Sequence, residues 1–216
     1  MRKKNKALKS RLQVSKNHYF ENNYDDLKRF ASYWHQINHI IKLNPDNILE
    51  IGPGNGFISD YLKKRDFNIK TLDIDKDLKP DKLGSVLNIP FDKNSFSLVA
   101  CFELLEHIPY KKIPKALKEI QRVTKKYVVI SIPDINTVLG VYLNIPKIGI
   151  IKKLIPLPFI KKGKHKFDGE HYWETGAKNY KLKDFKNKLK KANLTIIKTY
   201  RIFEHPFHRI FVLKKK

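Results

Sequence analysis

Apolar side chains recur along this chain in two rhythms. Between about residues 18 and 42, Leu27, Phe30, Ala31, Trp34, Ile37 and Ile41 fall at three- and four-residue steps, which predicts an amphipathic helix with one buried stripe. Pro45 and Asp46 close it. Asn47-Ile48-Leu49-Glu50-Ile51 then reads as a short buried strand running into a glycine loop, Phe57, Ile58, Tyr61 and Leu62 resume the helical spacing, and residues 68–73 are extended. Strand, glycine turn, helix and strand in that order make a βαβ unit. Further strands are expected at 83–87, 97–102 and 127–132, with a helix near Ile113–Val123. Leu182–Lys191 is helical in spacing, and 195–203 and 207–213 read as strands joined through Glu204-His205-Pro206. So short a link cannot carry a parallel crossover, so this last pair is expected to be antiparallel. The fold class is α/β: a mostly parallel sheet of seven strands, helices on both faces, and a C-terminal antiparallel strand pair.

Two stretches stand outside this alternation. Residues 1–17 are basic and poorly patterned, and are expected to be a frayed leader. Residues 18–216 then form a single domain with an insertion or lid at about 135–180. The insertion contains an apolar, Pro-punctuated run with flanking lysines, from Val138-Leu139 to Pro158-Phe159-Ile160-Lys161.

Composition narrows the function classes. With 45 Lys+Arg against 21 Asp+Glu the formal charge is +24, and 38 of the 45 are Lys. Readers of phosphate and base edges lean on the arginine fork, so a lysine excess spread along the chain argues only weakly for nucleic acid. From Lys147 to Lys216, 20 basic residues oppose 5 acidic ones, and this basic tail keeps RNA as an alternative substrate. Cys101 is the only cysteine, which excludes an internal disulfide and a Cys-cluster zinc site. No metal site is expected. The N-terminus lacks the apolar core of a secretory signal, and no run of about 18 uncharged apolar residues is present, so a cytoplasmic protein is expected.

The chemistry concentrates at Glu50-Ile51-Gly52-Pro53-Gly54-Asn55-Gly56. Closely spaced glycines after a strand let the backbone turn tightly and approach a ligand, and the next helix offers its N-terminal N–H groups. The spacing is G-x-G-x-G rather than the G-x-G-x-x-G of dinucleotide sites. Asp73, at the expected tip of the second strand, is placed to accept both hydroxyls of an adenosine ribose, with Asp75 as its competitor.

With these residues the chain resembles the class I S-adenosylmethionine-dependent methyltransferases of the small-molecule type. The resemblance runs over about 46–133 through four motifs in order: Leu49 to Gly56, Leu72-Asp73-Ile74-Asp75, Leu87 to Phe91 with Ser95 to Val99, and Phe102-Glu103-Leu104-Leu105-Glu106-His107-Ile108. It implies a Rossmann-like sheet and S-adenosyl-L-methionine as cofactor. Glu50, Gly52, Gly54 and Gly56 would lie under its methionine and ribose parts, Asp73 and Ile74 at the ribose, Ser85, Val86 and Leu87 at the adenine, and Phe102 at the methionine end. Ser85 and Ser97 stand where the family commonly has acids.

Acceptor candidates rest on chemistry alone. No N/D-P-P-Y/F motif follows the fourth strand and Cys101 follows Ala100 rather than Pro, which disfavours transfer to nucleobases. Transfer to oxygen needs an aligned hydroxyl and a destination for its proton. His107 and His171 are the candidates for that role, and Tyr172 and Trp173 for stacking against the acceptor. The apolar, lysine-flanked run at 138–166 favours a small-molecule or lipid-linked acceptor and a peripheral contact with the inner face of the membrane. A cofactor-binding protein without transferase activity is the further alternative.

Overall fold

The structure is a computed structural model and describes residues 14–160 and 162–216. The leader up to residue 13 lies outside the described residues. Val14 lines the cavity described below, and Lys16–Phe20 form a turn of 3-10 helix.

Helix α1, Leu27–Leu43, starts later than the apolar spacing suggests. Asp26 caps it, its carboxylate accepting the Arg29 N–H at 2.7 Å, and Asn44 ends it in the left-handed conformation. Its buried face is also rotated from the expected stripe. Ser32, Tyr33, Gln36, Ile37 and Ile40 are buried, whereas Leu27 is 85% and Trp34 61% exposed. Part of this face is polar because it walls a cavity, and apolar spacing cannot register such a face.

Strand β1, Ile48–Ile51, pairs in parallel with β2, Ile69–Asp73, on one side and β4, Phe96–Phe102, on the other. Strand β3 is only Lys82–Leu83. The strand expected at 83–87 stops there because the Ser85 hydroxyl accepts the Leu87 N–H and the Ser85 carbonyl accepts the Asn88 N–H, folding the chain back. Strand β5, Thr124–Pro133, runs parallel to β4. Beyond the hairpin described below, β8, Leu194–Arg201, and β9, His208–Lys215, complete the sheet, with β9 antiparallel to both β5 and β8. The order is β3-β2-β1-β4-β5-β9-β8, the expected mostly parallel seven-stranded sheet with an antiparallel end.

Helices cover both faces. Helix α2, Phe57–Lys63, lies with α1 on one side, where Ile37, Ile40, Ile58 and Leu62 pack on Leu98 and Ala100. Helices α3, Ile113–Val123, and α4, Leu182–Lys191, lie on the other, where Leu117, Ile120, Phe185 and Leu189 pack on Val99, Val128 and Ile130. Every residue of β1 and β4 is buried, as strands covered on both faces require.

The segment at 138–160, expected as part of an insertion or lid outside the strand–helix alternation, contains a β-hairpin. Strands β6, Val138–Ile145, and β7, Gly149–Pro156, pair with each other alone, and their β-branched alternation overrides the prolines, which fall at the turn and the end. No helix among the described residues is long and apolar enough to cross a membrane.

Candidate active site

A cavity of about 730 Å³ opens beyond the carboxyl ends of β1, β2 and β4, at the point where the strand order reverses. Its first half is built by the glycine loop. Gly52 (φ +74°) has no room for a side chain, since a Cβ would stand 2.2 Å from Leu104 Cδ1. A Cβ on Gly54 (φ +58°) would meet the Tyr19 ring at 3.3 Å, so this aromatic closes over the loop. Asp25 steadies the arrangement by accepting from Asn55 Nδ2 and from the Tyr33 hydroxyl. Glu50 lies buried beneath the loop, its Oε2 without a hydrogen-bond partner, and burial pushes its carboxyl up to about 8.

Asp73 lines the same half at the tip of β2. Its Oδ1 accepts the Asp75 N–H at 2.8 Å, and burial lifts its carboxyl to about 6. Asp75 is spent otherwise, capping the Asp77 N–H. Ile74, Ser85, Val86, Leu87 and Phe102 complete this half.

The second half is polar. Glu103 takes a positive φ of 42°, a conformation rare outside glycine, and this turns the chain at the end of β4 into a 3-10 turn at Leu105–His107. Glu106 is wholly buried and neither of its carboxylate oxygens has a hydrogen-bond donor, nor does Glu103 Oε1. Burial raises both carboxyls, Glu103 to about 7 and Glu106 well above its ordinary range, and the two lie close enough to share a proton. His107 Nδ1 lies 3.1 Å from the Glu170 carbonyl, and burial lowers its ring to about 4. Burial alone would lower His171 too, but the hydrogen bond and charge of Glu174, 3.0 Å from Nδ1, raise it. The two imidazoles stand edge to face with centroids 5.0 Å apart.

Hydrogen bonds across a long stretch of sequence bring them together. The Tyr172 N–H donates to the Glu106 carbonyl, and the Trp173 indole N–H donates to the carbonyls of Leu105 and Ile108. Trp173 is thus a correction to the expected acceptor pair: it is completely buried and pins the loop to the core, while Tyr172 does line the cavity. Gly56 is also displaced from its expected place, since it opens α2 behind the loop rather than lining the cavity. The other expected residues, Glu50, Gly52, Gly54, Asp73, Ile74, Ser85, Val86, Leu87, Phe102, His107, His171 and Tyr172, all face it.

Several lining residues carry no mark in the sequence. Ser32 bridges His205 Nδ1 at 3.0 Å and His208 Nδ1 at 2.9 Å, and His208 Nε2 lies 3.5 Å from Glu103 Oε2. Arg29 and Gln36 join them from α1. The polar face of α1 was the one available signal, because four of its turns carry Arg, Ser, Gln or His where a core helix would be apolar.

Fold and site define a class, an open α/β domain whose glycine turn and strand-tip acid enclose a nucleoside-sized cleft. Residues 49–132 match the family model of a methyltransferase domain. An uncharacterised protein of Methanocaldococcus jannaschii is 38% identical over 89 residues, a match that spans only 38% of this chain and 38% of that relative. The fold is similar to that of magnesium protoporphyrin IX methyltransferase from Synechocystis PCC 6803, solved with bound S-adenosylmethionine. There the TM-score is 0.63 at 10% identity, over 98% of this chain and 97% of that one. It is also similar to 1,6-didemethyltoxoflavin-N1-methyltransferase of Burkholderia thailandensis, with a TM-score of 0.60 at 12% identity over 86% of this chain and 79% of that one. Identities this low establish the fold alone.

Proposed function

We propose that the chain moves a methyl group from S-adenosylmethionine to a hydroxyl oxygen of a small-molecule or lipid-linked acceptor. The observation that carries this reading is one cavity with two unlike halves, a glycine-floored half with a strand-tip carboxylate and a half walled by imidazoles and carboxyls. The residues fit the cofactor. Gly52 and Gly54 leave a cradle that a Cβ would fill, and Glu50 Oε2 is a buried acceptor still lacking a donor. Asp73 and Ile74 would hold the ribose, Ser85, Val86 and Leu87 the adenine, and Phe102 the methionine end. When bound, the cofactor supplies an electrophilic methyl carbon on a sulfonium.

The chain's own part is to align a hydroxyl with that carbon and to manage its proton. Tyr172, stacked on Phe167 with centroids 4.4 Å apart, covers the acceptor side and excludes water. His107 through Nδ1 meets the Glu170 carbonyl and His171 through Nδ1 the Glu174 carboxylate, which orients both rings in the acceptor half of the cavity.

Residues 135–180 serve as the acceptor-side insertion of a single domain. Exposed Leu143, Ile148 and Ile150 near the hairpin turn, with Lys147 beside them, support a lipid-facing contact. The named acceptors of the two structural neighbours, both ring-shaped small molecules, support the small-molecule arm. The test supplies methyl-labelled S-adenosylmethionine with a lipid extract, a small-metabolite fraction and RNA in parallel. Label in an O-methylated product of either of the first two is expected. Label confined to RNA, or cofactor binding without turnover of any fraction, would overturn the reading.

A further inference from the structure

We propose that Glu106, His107 and His171 form a binding site for a divalent transition-metal cation at the acceptor end of the cavity. One donor atom from each lies within 4.8 Å of the others, as ligands around a common centre require. The second observation is Glu106 itself. It is 0% exposed, it lines the cavity, and among the described residues neither carboxylate oxygen finds a partner other than the proton it can share with Glu103. A buried carboxyl pair is relieved either by a proton shared within it or by a cation that takes the proton's place. A second carboxyl, Glu103, lies beside it with one oxygen equally without a donor, and its backbone is strained to place it there.

The surroundings of the imidazoles point the same way. Histidines that bind metals almost always donate their other ring N–H to a carboxylate or a backbone carbonyl, which fixes the tautomer. His171 does the first through Glu174 and His107 the second through Glu170. A neighbouring group, His165, Asp168 and Glu174, is compact enough for a cation but already engaged. Asp168 accepts the N–H groups of residues 170 and 171, and His165 lies against Glu174 and the His171 carbonyl. It is a scaffold for His171 rather than a second site.

Two imidazoles and a carboxylate favour Mn²⁺, Fe²⁺, Co²⁺ or Zn²⁺ over Mg²⁺ or Ca²⁺, which prefer oxygen. Three protein ligands leave coordination positions open. Resting on the oxygen-transfer reading, these positions would take the acceptor's hydroxyl, which narrows the acceptor to one whose oxygen ligates a metal. The cation would then acidify that hydroxyl in place of a side-chain base.

The test uses the full chain, stripped with chelator and titrated with Mn²⁺ alone. Electron paramagnetic resonance is expected to show one tightly held Mn²⁺ per chain, and pulsed measurements to show nitrogen couplings from two imidazoles. Glu106→Gln should weaken binding by about 100-fold or more, and Glu174→Gln by about 10–100-fold, the worth of an outer-shell partner. Asp168→Asn should leave it within a few-fold. No binding at millimolar Mn²⁺, bound Mn²⁺ without imidazole coupling, or binding that survives Glu106→Gln but not Asp168→Asn would each overturn the proposal. The pulsed measurement needs no variant, so it stands even where a substitution fails to fold. Calorimetry with S-adenosylhomocysteine on the same samples separates the two readings: cofactor binding without Mn²⁺ removes only the metal site, and Mn²⁺ without cofactor binding removes only the transferase.

Discussion

Asp73 and Asp75 stand two positions apart, yet the backbone divides their work. Both line the cavity, but Asp75 also caps the following turn while Asp73 stands at the strand tip. Asp73→Ala should therefore weaken S-adenosylhomocysteine binding by about 1–3 kcal/mol, the scale of lost charge-assisted hydrogen bonds, and Asp75→Ala by less, as calorimetry can check. Glu50 makes a different kind of prediction. Its folded carboxyl titrates near 8 against an ordinary 4.5, because burial penalises the charge. The ligand-free protein then holds a proton that the unfolded chain has released, so its stability should fall as pH rises from about 4.5 to about 8. In Glu50→Gln that decline should be absent, so the variant should gain melting temperature over the parent at pH 8 and gain least near pH 5. Glycines 52 and 54, Glu50 and Asp73 were legible in the sequence because the cofactor half is made of one strand, one turn and the next strand tip, all local in the chain. Ser32 was not, nor was its meeting with His205, His208 and Glu103, because these join only when α1, the end of β4 and β9 close around one space.

The elements show which patterns can be read and which deceive. Helices α3 and α4 and the core strands fell where their apolar spacing put them, since both faces of the sheet are covered and burial dominates. In α1 the same rule picked the wrong stripe. Leu27, Phe30 and Trp34 are exposed, while Ser32 and Gln36 turn inward, Gln36 donating to the Ser131 hydroxyl at 3.1 Å. A helix that must line a polar cavity buries polar residues, so its hydrophobic rhythm misstates its orientation. The hairpin β6–β7 poses the opposite case, strands whose apolar residues remain outside. Replacing Leu143, Ile148 and Ile150 together with Ser should leave stability within about 0.5 kcal/mol per site, the usual range for surface positions. Partitioning onto anionic vesicles should drop at least tenfold, because each large side chain buried in lipid contributes roughly 1.5–3 kcal/mol. A sedimentation assay with vesicles reads the second effect and thermal melting the first.

At the scale of the whole molecule, the cavity is where separate parts of the fold converge: the segment around Tyr19, helix α1, the glycine loop, the end of β4, the loop carrying His171 and the start of β9. A ligand there ties together regions distant in sequence. At a concentration 100 times its dissociation constant, S-adenosylhomocysteine should stabilise the fold by about 2.7 kcal/mol, visible as a rise in the melting temperature that Asp73→Ala diminishes. The lysine excess that gives the chain its +24 charge does not by itself select a partner. The position of β9 has a consequence for how the chain acquires its shape during synthesis. Because β9 lies between β5 and β8, β8 emerges from the ribosome before the strand it pairs with. The five preceding strands can align as they appear, but β8 must wait for residues 208–215, and so must the wall of the cavity that His208 supplies. A chain lacking β9 would thus lose the pairing of two strands rather than one, leave β5 as a bare hydrophobic edge, and offer the cell's proteases a ligand pocket open on one side.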